Sequence, residues 1–424
     1  MTRTSSIAPL WAISSLILSM FVAALGNGMM FAYVPFALAA RGAPPWVAGA
    51  VVTGIAFGGL IGCLIAGPLI RAVGHARIFA CCIALAILSV TIIAADAPAF
   101  AWVGSRVIYG IAANGFFIVT QSWINHVTDN SFRGRAMSAL YMAYILGLGS
   151  GAFIFGQLPL EGNIVAVVAI AFGALAILPI GLTRLPTPPP PEAARIDLAG
   201  TWRASPVATV GVVASGGLSM LVAGFTPIYL AGEGVPQKDV ALTMFLTEVG
   251  MIFVMYPLGM LSDRIDRRIV LAFCGVAAAA VAFGVANMPL GQILLLAALL
   301  ALWSGVTETV YSVANAHAND RAKSDDYITL ASTMLILWSS SAFVAPLAVT
   351  AMTPVFGPKT YMLVVALIGV AFSVFAVLRI ATRKPTPPQQ VEPIELVGAQ
   401  APNASNLLPN DPEPDGLPMA TVSR

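Results

Sequence analysis

Composition, span count and one internal repeat together predict an all-α membrane protein, twelve transmembrane helices in two six-helix bundles. Of 424 residues, 58% are hydrophobic and 9% charged, where a soluble domain carries about 25% charged residues. So much apolar surface has no place in a water-facing globule. Apolar runs of roughly 20 residues, long enough to cross a bilayer as helix, recur along the chain. A charged turn also occurs twice, as Gly-Pro-Leu-Ile-Arg-Ala-Val-Gly-His-Ala-Arg from Gly67 to Arg77 and Gly-Met-Leu-Ser-Asp-Arg-Ile-Asp-Arg-Arg from Gly259 to Arg268. The copies start 259 − 67 = 192 residues apart, close to half the chain.

The first span, near 8–33, follows Arg3 and resembles a signal peptide with Ala23-Ala24 as a cleavage point. Its apolar run continues to Tyr33, long enough to span, so it is read as retained. Span 46–70 ends in the first charged turn and 78–95 leaves it. Span 99–124 carries Arg106, and 136–158 is rich in glycine at Gly147, Gly149, Gly151 and Gly156. Span 163–182 closes the first half. The longest internal loop, Thr183 to Ser205, holds Thr-Pro-Pro-Pro-Pro and an amphipathic stretch from Glu192 to Trp202. Proline there forbids a continuous helix, so six spans are divided from six. The second half repeats the order with 205–230, 240–261, the second charged turn, 268–287, 290–315, 327–352 and 359–380. Nine prolines follow among residues 381–424, which predicts a disordered tail. The expected domains are an N-terminal bundle 1–183, a loop 184–204, a C-terminal bundle 205–381 and a tail 382–424.

With the N-terminus inside, seventeen Lys and Arg fall on the cytoplasmic side, three (Arg41, Lys238, Lys359) opposite and Arg106 within a span. The positive-inside rule then places both termini of a multi-pass membrane protein in the cytoplasm. Cys63, Cys81, Cys82 and Cys274 all lie in apolar segments with no Cys-x-x-Cys spacing, so neither a disulfide nor a metal site is expected. Trp11, Trp46, Trp102 and Trp202 sit at span ends, as an interfacial belt requires. No His-Glu-x-x-His, Gly-x-Ser-x-Gly or Gly-Lys-Ser/Thr occurs, so no enzyme activity, cofactor or ATP hydrolysis is expected.

Arg106, Glu248 and Glu308 are the charged residues well inside spans. Each costs about 2.5–3.5 kcal/mol on insertion scales, so such groups face a polar cavity or a partner. For Arg106 the alternative is a packing clamp on backbone carbonyls, and for Glu248 a water-exposed rim position. Glu308 lies deepest, and Ser304, Glu308, Tyr311 and Asn315 step by four, three and four residues along one helical stripe. Arg106, Gly110, Asn114, Gln121 and Asn125 lie within about a third of the fourth helix's circumference. Ser215, Ser219 and Thr226 interrupt the seventh span and Asn27 the first, although interhelical hydrogen bonding explains single polar residues equally well. Trp303 and Trp338 are placed to stack on a planar solute or to fill the core.

The repeated turn resembles the major facilitator superfamily pattern Gly-x-x-x-Asp-Arg-x-Gly-Arg-Arg. The second copy matches at Gly259, Asp263, Arg264, Arg267 and Arg268, with Asp266 for the inner glycine. The first matches at Gly67, Gly74 and Arg77, with Arg71 where the family has Asp. Arg106-Val-Ile-Tyr-Gly110 is similar to the family's fourth-helix pattern. Gln121-Ser-Trp-Ile-Asn125 with Arg133-Gly-Arg135, and the run Tyr311 to Arg321, are similar to the YcaD-type branch, in which an acid commonly occupies the Gln121 position. The resemblance implies the major facilitator fold, a central cavity lined by helices 1, 4, 7 and 10, and charged turns that act as gating loops. The expectation is a monomeric secondary transporter in a lipid bilayer, moving a small-molecule substrate by alternating access, with protons as the coupling ion and no nucleic-acid partner. Its substrate-binding or coupling residues would be Asn27, Arg106, Asn114, Gln121, Asn125, Glu248, Glu308, Tyr311 and Asn315. A transporter-derived sensor or assembly protein is the alternative.

Overall fold

A computed structural model of the chain describes residues 8–128, 130–183, 185, 188, 196–321 and 327–382. Among them are thirteen α-helices and no strand. The first half holds α1 (Ala8–Ala40), α2 (Pro45–Val73), α3 (His75–Ala94), α4 (Ala99–Val127), α5 (Asn130–Gln157) and α6 (Ile164–Gly181). The second holds α8 (Pro206–Gly232), α9 (Gln237–Ser262), α10 (Arg267–Asn287), α11 (Ile293–Asn319), α12 (Tyr327–Phe356) and α13 (Thr360–Thr382). These twelve are long and apolar enough to cross a membrane. Between the halves lies α7 (Leu198–Ala204), a two-turn helix whose N-cap Asp197 accepts from the Gly200 amide at 2.8 Å. It begins inside the stretch read as amphipathic, whose residues 192–195 lie outside the described ones, as does the tail beyond Thr382.

Both halves pack alike. In the first, α1 packs on α5 and α6, α4 on α2 and α3, and α3 on α6; in the second, α8 packs on α12 and α13, α11 on α9 and α10, and α10 on α13. Outer faces carry apolar stripes at helical spacing, such as Leu363, Leu367, Val370, Val374 and Val377 of α13, all exposed. In a multi-pass protein such stripes face lipid. The 192-residue offset recurs in the helix interiors, because Pro35 of α1 and Pro227 of α8 differ by 227 − 35 = 192. Proline has no N–H, so the carbonyls of Phe31 and Ala223, four residues earlier, have no i+4 donor.

Two sequence expectations are corrected. The first helix runs seven residues beyond Tyr33, through Pro35 to Ala40, because an internal proline is tolerated in a membrane-spanning helix. Val34, Ala37 and Leu38 of that extension are buried. Trp102 is no belt residue, being 1% exposed under the Arg41 guanidinium, whose Cζ is 4.8 Å from the ring centroid. Arg41 is held there by Asp96 at 2.6 Å.

The bundles meet where α2 packs on α12, α5 on α9 and α1 on α8. On the side away from the charged turns, Thr53 Oγ1 lies 3.2 Å from Thr350 Oγ1, and Gln237 Nε2 donates to the Phe155 and Leu158 carbonyls at 2.7 and 3.0 Å. Nearer the middle, Phe57 meets Phe343 with ring centroids 5.2 Å apart, and Cys63 Sγ meets Ser339 Oγ at 3.4 Å.

Candidate functional site

A cavity of about 100 Å³, measured as room for the centres of water molecules, lies between the bundles. A single water needs roughly 10–15 Å³ on that measure, so it admits a small solute with water. The first bundle contributes Gly28 and Phe31 from α1 and Tyr141, Tyr144 and Leu148 from α5. The second contributes Ser219 and Ala223 from α8, Met244, Glu248 and Met251 from α9, Ser304 and Glu308 from α11, and Trp338 from α12. Helical period explains the selection, since 244, 248 and 251 share one stripe of α9 and 304 and 308 one stripe of α11.

Glu308 is the junction. Ser219 Oγ of its own bundle donates to Oε1 at 2.7 Å, and Tyr141 Oη of the other bundle donates to Oε2 at 3.4 Å. Glu248 lines the same cavity rather than a separate rim, and a side chain at Gly149 of α5 would press on it, with the added Cβ 3.2 Å from Glu248 Cβ. Tyr144 is set by Asn27, whose Nδ2 donates to its hydroxyl at 3.3 Å, and by Phe117 edge-on at 5.1 Å. Trp338 is set by Tyr311, edge-on at 6.4 Å.

The other expected residues fall outside the lining. Asn27 and Tyr311 stand directly behind it, through Tyr144 and Trp338. Asn315 turns back along α11, its Nδ2 donating to the Tyr311 carbonyl at 2.9 Å. Asn114 packs against α2, where a side chain at Gly62 would come within 3.2 Å of its Cβ. Gln121 and Asn125 are buried, and the Asn125 carbonyl accepts from Arg133 Nε at 3.3 Å. Arg106 is fully buried; it makes no carbonyl clamp, and its guanidinium lies 4.2 Å from the Tyr109 ring centroid with no hydrogen-bond partner among the described residues. Sequence reasoning missed Tyr141 and Tyr144, because a tyrosine counts as apolar in a hydropathy window. Their i, i+3 spacing on an otherwise glycine-rich span was the available signal.

The two charged turns differ in construction. Gly74 joins α2 to α3 with φ 86° and ψ 163°, a region open to glycine. In the second turn Asp266, standing for that glycine, is an N-cap that accepts from the Arg268 amide at 3.0 Å and pairs with its guanidinium at 2.6 Å. Burial alone would raise the Asp266 carboxyl, but the hydrogen bonds and charge of Arg268 outweigh it and hold the group below its ordinary value. Arg267 bridges Asp320 at the end of α11 at 3.1 Å and Asp263 at 3.7 Å. Arg268 also donates to the Arg379 carbonyl at 3.3 Å, so this turn ties α9, α10, α11 and α13 together. Gly67, Gly259 and exposed Arg77 and Arg264 complete the two copies.

The halves are related in sequence as they are in packing, since one family's sequence model matches twice, over residues 16–208 and 207–412. The chain belongs to the Major Facilitator Superfamily. Curated relatives of this superfamily include an uncharacterized MFS-type transporter of Yersinia pseudotuberculosis serotype O:3, 26% identical over 83% of this chain and 90% of the relative. Another is the uncharacterized MFS-type transporter YcaD of Salmonella enteritidis, 24% identical over 78% and 86%. Among solved structures, a variant of the nucleoside transporter NupG superposes with TM-score 0.72 over 87% of this chain and 100% of its own, at 11% identity. That likeness shows the major facilitator fold. Membership of the superfamily makes membrane transport the coarse function of a multi-pass membrane protein.

Proposed function

We propose that this protein is a proton-coupled secondary transporter of a small organic solute, working by alternating access about the cavity at Glu308. The observation that carries the reading is the pair of hydrogen bonds joining Glu308 to Ser219 of its own bundle and Tyr141 of the other. An ionised carboxylate accepts from both hydroxyls; a protonated one brings a donor of its own. Gain or loss of one proton therefore rearranges a contact that spans the two bodies which must rock. The cavity is complete within one chain, which supports a monomer. The bacterial relatives and twelve apolar helices support an inner-membrane setting, and the seventeen-to-three distribution of basic residues supports cytoplasmic termini. The charged turns then lie on the cytoplasmic side, where the network from Asp263 to Arg379 stiffens the second bundle as a gating element.

The test uses proteoliposomes and a solute selected by a thermal-shift screen of metabolites and drugs. Glu308→Gln keeps size and hydrogen-bonding capacity but cannot titrate. It should abolish accumulation driven by an imposed pH gradient while solute exchange at equal pH continues. Accumulation at the wild-type rate in that variant overturns the assignment.

A further inference from the structure

The wall of the cavity narrows the class of solute. Its lining carries two carboxylates, Glu248 and Glu308, and no lysine, arginine or histidine. Glu308 is engaged by Ser219 and Tyr141, whereas no hydrogen bond or ion pair joins Glu248 to a described residue. Around them stand the rings of Phe31, Tyr144 and Trp338. Two carboxylates among aromatic rings, with no basic side chain in the lining, are the surroundings that select an organic cation. Trp338, 5% exposed, lines the cavity and is held by Tyr311 edge-on behind it, so its ring is a fixed part of the wall.

We propose that the cavity binds organic cations with an aromatic body, the positive charge at Glu248 and the ring system among Phe31, Tyr144 and Trp338. The inference rests on the proposed function only in taking this cavity as the solute site. It divides labour between the two acids, Glu248 holding the solute's charge while Glu308 exchanges the proton. It excludes anionic solutes, because nothing in the lining offers them a counter-charge.

The test is equilibrium binding of tritiated N-methyl-4-phenylpyridinium to the purified full-length protein, with two competitors of nearly the same shape, neutral 4-phenylpyridine and anionic 4-phenylbenzoate. Saturable binding of the cation is expected, with each competitor weaker by about tenfold or more. Glu248→Gln should weaken the cation by about tenfold or more, and Glu248→Asp, which keeps the charge, should restore most of it. The inference is overturned by the absence of saturable cation binding, by a neutral analogue competing as well as the cation, or by wild-type affinity in Glu248→Gln. Should that variant fail to fold, the order of the three ligands on the wild type still decides. Binding is read without a gradient, so the two readings fail separately. Proton-driven transport of some other solute without cation binding sinks this inference alone; cation binding without proton-driven movement sinks the coupling alone.

Discussion

Arg106 is a buried guanidinium resting on one tyrosine face. A desolvated cation–π contact contributes about 2 kcal/mol, while an arginine at the centre of a membrane helix costs about 2.5–3.5 kcal/mol on insertion scales. The contact offsets much of the cost and leaves the group's five donors unused. Replacing a buried ion pair by apolar side chains of similar volume is often neutral or stabilising by about 1–4 kcal/mol, and an unpaired guanidinium has no partner charge to lose. Arg106→Met is therefore expected to raise the unfolding midpoint in detergent while reducing solute transport, the signature of a group kept for a second conformation. A lowered midpoint would show instead that the guanidinium is stabilising where it lies. The position of this charge inside a span was legible in sequence; its surroundings were not. Periodicity reports which residues share a helix face and says nothing of what that face meets. On α11 the same stripe begins in the cavity at Ser304 and Glu308 and leaves it by Asn315, about 10 Å further along the axis.

At the scale of elements, the two charged turns solve one problem by different chemistry, so they should fail differently. Gly74 holds φ 86° and ψ 163° with nothing within 4 Å of an added Cβ, so only backbone strain opposes a side chain there. Gly74→Ala is expected to cost about 1–3 kcal/mol, the strain of that region for an L-residue. Asp266→Gly restores the family's glycine but removes an N-cap, for a few tenths of a kcal/mol, and the pair with Arg268, for up to about 1 kcal/mol more. Unfolding midpoints of the two variants check this, and no loss in Gly74→Ala would remove the conformational argument. The pH sign for Asp266 follows from a carboxyl held below its unfolded value of 3.8. Its contribution is present above that value and lost as pH falls through the lower folded one. The repeat itself was legible from sequence, because like turns sat a half-chain apart. The substitution of capping for glycine conformation was not, since both choices close an equally short turn.

For the whole molecule, twelve apolar runs were enough to anticipate twelve helices and their pairing into like halves, because the bilayer leaves a long apolar segment no other way to satisfy its backbone. Helix ends were less legible, as at α1, where the internal proline hides a continuous helix. Orientation is the remaining global question, and basic-residue asymmetry predicts it. Single cysteines replacing exposed Leu198 of α7 and exposed Glu233 beyond α8, in a cysteine-free background, should respond oppositely to an impermeant maleimide. Leu198→Cys should be protected in intact cells and Glu233→Cys labelled; the reverse pattern inverts the topology.

The glycine contacts between α1 and α5 carry a further consequence, for how the protein is made. A side chain at Gly28 would strike the Leu148 carbonyl, one at Gly151 the Leu25 carbonyl, and one at Gly147 would come within 2.6 Å of Ala24 Cβ and the Phe21 carbonyl. The two helices are in backbone contact, yet α5 begins at Asn130, ninety residues after α1 ends at Ala40. During synthesis α1 enters the membrane long before its closest partner exists. Until α5 is inserted, its glycine-lined groove must be covered by lipid or by the insertion machinery. The first bundle therefore cannot lock until five of its six helices have been delivered, and nascent chains ending before α5 should be the ones recognised as unfinished and degraded.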